Sequence, residues 1–282
     1  MTTQTAEQLK AIVKEKYGQI ADQNHDGCCG TNCGCGTLDN TVMAEDYTKL
    51  QGYVSEADMG LGCGLPTEFA KIKEGDVVID LGSGAGNDAF VARSIAGPTG
   101  KVIGIDITEQ MIARARANAE KMDFNNVEFR LGDIENLPVS NDVANVVVSN
   151  CVLNLVPDKA RAFAETYRVL KPGGHFSVSD IVLKGDLPAG LQKSAEMYAG
   201  CVSGAIDKFT YLNTIKKSGF TNIDVQKERR ITLPNEILSL YLNASEMQQY
   251  VTGEMGIYSI TVYAEKTNEK PEPCCAPGCC GN

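Results

Sequence analysis

Positive charge is what this sequence is short of. Its 282 residues carry 26 Lys+Arg against 36 Asp+Glu, a formal net charge of −10, which argues against a surface built to hold a nucleic-acid backbone. No uninterrupted apolar stretch approaches the roughly 18 to 20 residues of a membrane-crossing helix, and residues 1–20 mix charges without the apolar segment of a secretory signal. No nucleic acid and no membrane is expected as a partner, and the expected compartment is cytoplasmic. Histidine is nearly missing: His25 lies in a glycine-rich stretch and His175 inside an expected strand. A mechanism that depends on a histidine base finds little support. No repeat of roughly 20 to 50 residues is evident, which sets solenoids and propellers aside.

Apolar residues make up 43% of the chain and charged ones 22%, enough to build a real core in one large or two small domains. Cysteine is abundant, with 11 copies. An odd number without a signal peptide is no disulfide scaffold, and in a reducing compartment such thiols serve as ligands for a soft ion or as redox groups. Cys28, Cys29, Cys33 and Cys35 cluster early, Cys274, Cys275, Cys279 and Cys280 cluster late, and Cys63, Cys151 and Cys201 stand alone.

Residues 1–62 read as a helix, with Leu9, Ile12, Val13 and Ile20 near helical spacing, followed by a Gly- and Asn-rich, Cys-rich loop over 22–41. Residues 63–183 alternate β-branched runs with amphipathic ones, the sign of an α/β fold. Strands are predicted at 77–81, 101–106, 127–131, 145–150 and 175–181, with helices at 108–122 and 158–170. Residues 184–266 form a smaller α+β portion, with helices near 189–200, 210–218 and 234–250 and strands near 223–228 and 257–265. The tail, 267–282, has charge and proline but nothing to pack, and is expected to be flexible.

The run V-V-I-D-L-G-S-G-A-G-N-D is a buried strand, an acidic residue at its tip, then glycines opening a helix. Gly82, Gly84 and Gly86 let the backbone turn tightly and approach a ligand closely. The next strand ends in Asp106, whose carboxylate can accept hydrogen bonds from both hydroxyls of a ribose. One strand later Asp133 reaches the same edge, suited to an exocyclic adenine amine. An adenosine is indicated. A dinucleotide's diphosphate needs unobstructed N–H groups at the helix N-terminus, whereas Asp80 at the strand tip suits a cationic amino-acid moiety. S-adenosylmethionine is therefore favoured over NAD, and a dehydrogenase is the least favoured reading.

Together V-I-D-L-G-S-G-A-G, G-I-D-I-T, G-D-I-E-N-L-P and V-L-K-P-G-G, over about residues 75–182, resemble the successive motifs of class I S-adenosylmethionine-dependent methyltransferases. The resemblance implies a Rossmann-like, seven-stranded, mostly parallel sheet flanked by helices, with one strand reversed. It also implies that Asp80, Gly82, Ser83 and Gly84 flank the methionine portion, that Asp106 holds the ribose, and that Ile107, Asp133 and Ile134 surround the adenine.

The lone cysteines bear on the methyl acceptor. Cys151 directly follows the fourth strand, at the carboxyl edge where such sheets bind ligands. Cys63 lies in G-L-G-C-G-L-P, with glycines on both sides exposing its sulfur, and Cys201 lies in M-Y-A-G-C-V-S-G-A. Any one of them alone also reads as a small buried hydrophobe. Three thiolates meeting at the donor make a soft trigonal site that suits As(III), which is thiophilic and keeps a lone pair for attack on a sulfonium methyl. Zinc prefers four ligands and offers no lone pair.

G-L-G-C-G-L-P, S-N-C-V-L-N-L-V-P-D-K and E-M-Y-A-G-C-V-S-G-A strongly resemble the cysteine segments of arsenite methyltransferases, over about residues 45–230. The resemblance implies that Cys63, Cys151 and Cys201 bind As(III), taken as arsenite or its thiol conjugates. It also implies a disulfide relay through a further N-terminal cysteine, with Cys28 and Cys29 as first choices, reset by thioredoxin or glutathione. The terminal C-C-A-P-G-C-C resembles cysteine-pair tails of some microbial members, which could capture arsenite at raised local concentration. Two alternatives stay open: methylation of a small organic molecule with the cysteines merely packing, and a metalloid-sequestering thiol protein.

Overall fold

The computed structural model describes residues 5–22, 45–185, 202, 204–232, 235–252 and 255–268. Helix α1 (Ala6–Asp22) and the single turn α2 (Pro66–Phe69) precede the sheet. Then β1 (Val77–Leu81), α3 (Asn87–Ala96), β2 (Lys101–Asp106), α4 (Glu109–Lys121), β3 (Val127–Leu131), β4 (Ala144–Asn150), α5 (Lys159–Val169) and β5 (Leu170–Lys184) alternate, as the periodicity predicts. They are followed by α6 (Lys208–Lys217), β6 (Thr221–Ile231), α7 (Asn235–Tyr241), α8 (Ala244–Thr252) and β7 (Gly256–Glu265). The Cys-rich loop expected before residue 41, the helix expected at 189–200 and the tail beyond 268 lie outside the described residues.

The strands form one seven-stranded sheet in the order β3-β2-β1-β4-β5-β7-β6. Neighbours from β3 to β5 run parallel, and β7 is antiparallel to both β5 and β6. The expected α/β sheet with one reversed strand is what forms. Its central strands read as continuous apolar runs because both faces are covered. Val78, Val102, Val146 and Val148 pack against Ala89, Phe90, Ile112 and Ala115 of α3 and α4. Their neighbours in sequence, Ile79, Ile103 and Val147, face the opposite way, toward Phe163 of α5 and Tyr211 and Ile215 of α6, as the two-residue repeat of a strand requires.

Three departures from the expected boundaries have a local cause. Helix α5 stops at Val169 and β5 begins at once, with the stretch 171–174 absorbed by an irregularity in the β4–β5 register; Gly173 there donates its N–H to the Lys266 carbonyl at 3.0 Å. Helix α6 starts two residues early because Asp207 caps it, accepting from the N–H groups of Phe209 and Thr210 at 3.0 and 3.1 Å. The single helix expected over 234–250 is two, since Asn243 and Glu246 form a reciprocal capping box that starts α8 afresh.

Strand order reverses direction between β1 and β4. A crevice opens at the carboxyl ends of these strands, and it is there that sheets of this kind bind ligands.

Candidate active site

Gly82–Gly86 link β1 to α3. Gly82 and Gly84 adopt φ of +66° and +51°, where a Cβ is strained. They do so for different ends. A Cβ on Gly82 would lie 2.3 Å from Val152, so this glycine admits the chain that follows β4; a Cβ on Gly84 would meet nothing within 4 Å. Gly84 is the open side of the cradle.

A cleft of about 1150 Å³, open solvent at its mouth included, lies over this loop. Asp80, Gly82, Ser83 and Gly84 line it from the β1 side, Asp106 and Ile107 from β2, Asp133 and Ile134 from the end of β3, and Asn150 and Cys151 from β4. Every residue that the sequence assigns to the cofactor therefore reaches one cavity.

Asp80 is buried at the tip of β1, and one of its carboxylate oxygens has no hydrogen-bond partner; the Ser83 hydroxyl is likewise unpartnered. Burial, then repulsion from Asp88 and Asp106, pushes the Asp80 pKa well above the usual carboxylate range. Burial lifts Asp88 to about 6 even though Asn150 and Tyr47 hydrogen-bond to it. Asp106 is also raised by burial, with the N–H groups of Thr108 (2.8 Å) and Gly84 (3.0 Å) opposing the shift. Three crowded, desolvated carboxylates welcome a cation and repel a diphosphate.

The sequence reading assigned no role to α1, yet Lys10, Val13 and Tyr17 line the cleft. The Lys10 ammonium pairs with Asp133 Oδ2 at 2.6 Å and with Glu135, and the Glu135 N–H donates to Asp133 Oδ1 at 2.9 Å, so Asp133 meets any adenine with both oxygens already engaged. Tyr47 and Asp88 were also missed. The N-D step after the glycines was the available signal for Asp88; nothing near Tyr47 marked it.

Cys151 lines the cleft at φ +61°, a strained conformation for a non-glycine residue, and its N–H donates to the Ser179 carbonyl at 2.7 Å. Cys63 is wholly buried, which corrects the expectation that its flanking glycines expose the sulfur: they let its backbone approach β4. The Cys63 N–H donates to Asn150 Oδ1 at 2.9 Å, and its carbonyl accepts from the Ser259 hydroxyl at 2.6 Å. Cys63 and Cys151 thus share one apolar cluster, which also holds Val202. Cys201, Cys28 and Cys29 lie outside the described residues.

Residues 72–232, more than half of the chain, match the family model described as a methyltransferase domain. The chain belongs to that family. This methyltransferase is 41% identical over 232 residues to an arsenite methyltransferase of Halobacterium salinarum, covering 78% of this chain and 59% of that protein. It is 33% identical over 241 residues to the human arsenite methyltransferase, covering 82% of this chain and 63% of that one. It spans somewhat under two thirds of the length of both relatives. A solved arsenic(III) S-adenosylmethionine methyltransferase from Chlamydomonas reinhardtii superposes with a TM-score of 0.64 at 33% identity, over 75% of this chain and 69% of that one. The fold is that of class I S-adenosylmethionine-dependent methyltransferases, and S-adenosylmethionine is the cofactor. The cleft fits it: the unpartnered Asp80 oxygen suits an ammonium group, Gly84 leaves room, and Asp106 stands one strand along. No helix among the described residues is long and apolar enough to cross a membrane.

Proposed function

We propose that this protein is an arsenite methyltransferase acting in the cytoplasm in arsenic detoxification, with arsenite or its thiol conjugate held by Cys63, Cys151 and Cys201. The observation that carries this reading is that Cys63, far from Cys151 in sequence, is hydrogen-bonded through its N–H to Asn150 at the end of β4 and shares an apolar cluster with Cys151, which itself lines the cleft over the Asp80–Gly84 cradle. Val202, the sequence neighbour of Cys201, packs in the same cluster.

Bound S-adenosylmethionine supplies an electrophilic methyl on a sulfonium. Asp80 and Ser83 hold its amino-acid end, Asp106 its ribose, and Ile107, Asp133 and Ile134 its adenine. The surrounding apolar cluster, with Leu155, Ile181 and Ile257 among its members, excludes water. Three thiolates leave the arsenic lone pair free, so no histidine or carboxylate base is required, and alignment of substrate with donor does most of the catalytic work. Cys28 and Cys29 serve the disulfide relay that thioredoxin or glutathione resets, and keep arsenic trivalent between turnovers.

The test is incubation with arsenite, S-adenosylmethionine and a thiol reductant, with methylarsenicals read by chromatography and mass spectrometry. Product is expected from the natural sequence and almost none from Cys151→Ser with donor binding retained. Donor binding without methylarsenicals refutes the assignment, and undiminished methyl transfer to an organic acceptor by Cys151→Ser favours the small-molecule alternative.

A further inference from the structure

The link between the Cys63 and Cys151 segments runs through a side chain that bears no sulfur. Asn150 is the last residue of β4, immediately before Cys151. Its Oδ1 accepts from the backbone N–H groups of Cys63 at 2.9 Å and Gly64 at 3.3 Å. Its Nδ2 donates to the Gly64 carbonyl at 2.8 Å and to Asp88 at 3.1 Å, and also meets the Tyr47 hydroxyl. That hydroxyl in turn lies 2.9 and 3.0 Å from the two Asp88 oxygens. Both ends of the amide are satisfied by partners of fixed sense, which leaves a single orientation for it.

The backbone around Cys63 is shaped to this amide. A Cβ on Gly62 would lie 2.6 Å from Asn150 Nδ2, and one on Gly64 would lie 2.5 Å from the Ser179 hydroxyl. Ser179 is also the residue whose carbonyl receives the Cys151 N–H. The left-handed backbone at Cys151 persists only where its surroundings over-determine it, and the Asn150 amide, held from the far side by Asp88 and Tyr47, supplies such a constraint.

We infer that Asn150 is a positioning residue for the thiols: it sets the separation of Cys63 and Cys151 by clamping the Cys63–Gly64 peptide to the end of β4, with Asp88 and Tyr47 orienting the clamp. The inference rests on the arsenite reading for its purpose, but its test does not. Phenylarsine oxide bridges two thiols with no donor or reductant present, so formation of a Cys63–Cys151 bridge, identified by peptide mass mapping, reports thiol spacing alone.

In Asn150→Ala, assayed well below its melting temperature, bridging is expected to slow about tenfold, equivalent to about 1.4 kcal/mol. Asn150→Asp, which faces a second carboxylate at Asp88, is expected to slow it as well. In Asn150→Asp the second carboxylate oxygen also faces the Gly64 carbonyl, where the natural amide donates at 2.8 Å, so this side of the clamp is lost. A natural rate in Asn150→Ala, or in Asn150→Asp, overturns the inference. Failure of the unsubstituted protein to form the bridge overturns both this inference and the arsenite reading. Bridging without methylarsenicals removes the arsenite reading alone.

Discussion

Gly82 and Gly84 look alike in sequence and in backbone conformation, yet substitution should separate them. Alanine at either position costs about 1 to 2 kcal/mol, since a Cβ disfavours the left-handed region. At Gly82 the added methyl also falls 2.3 and 2.6 Å from the two Val152 methyls, and overpacking of this kind costs a further 1 to 3 kcal/mol or so. Val152 follows the strained Cys151, so the clash has little room to relax. Gly82→Ala is therefore expected to lose roughly 2 to 5 kcal/mol of stability. At Gly84 there is nothing to strike, but the methyl enters the cofactor's space, so Gly84→Ala should stay near the lower cost while losing S-adenosylmethionine affinity. Urea midpoints at an unchanged m-value read the first effect, and calorimetric titration of the folded variants with the donor reads the second. Equal stability losses, or donor affinity preserved in Gly84→Ala, would refute this division of roles.

Asp180 lies fully buried in β5, where burial lifts its pKa to about 7 from 3.8 and the nearby Lys159 charge and a hydrogen bond from Tyr211 only partly oppose the shift. The native state keeps a proton that the unfolded chain releases, so its stabilising contribution is complete below pH ~4 and is lost as pH rises toward ~7. Asp180→Asn should flatten that part of the stability profile in urea unfolding between these limits; an unchanged slope would show that other groups control it. Asp106→Ala should weaken donor binding by about 1 to 3 kcal/mol through lost charged hydrogen bonds, and calorimetry showing undiminished affinity would count against the ribose assignment.

Much of this protein can be read along the chain because the relevant signals are local. Short continuous runs rich in valine and isoleucine mark β1, β2 and β4, and a parallel strand carries whatever follows it to the same sheet edge. The placement of Asp80, Asp106, Asp133 and Cys151 around one cleft thus followed from strand order alone. Local signals fail where neighbours come from elsewhere. Lys10 reaches Asp133 from an N-terminal helix, and Tyr47 joins Asp88 from a stretch with no regular pattern. The glycines beside Cys63 are as compatible with an exposed sulfur as with a buried one. Their meaning depends on Asn150 and Ser179, brought against them by packing across long chain separations, which no repeat or propensity records.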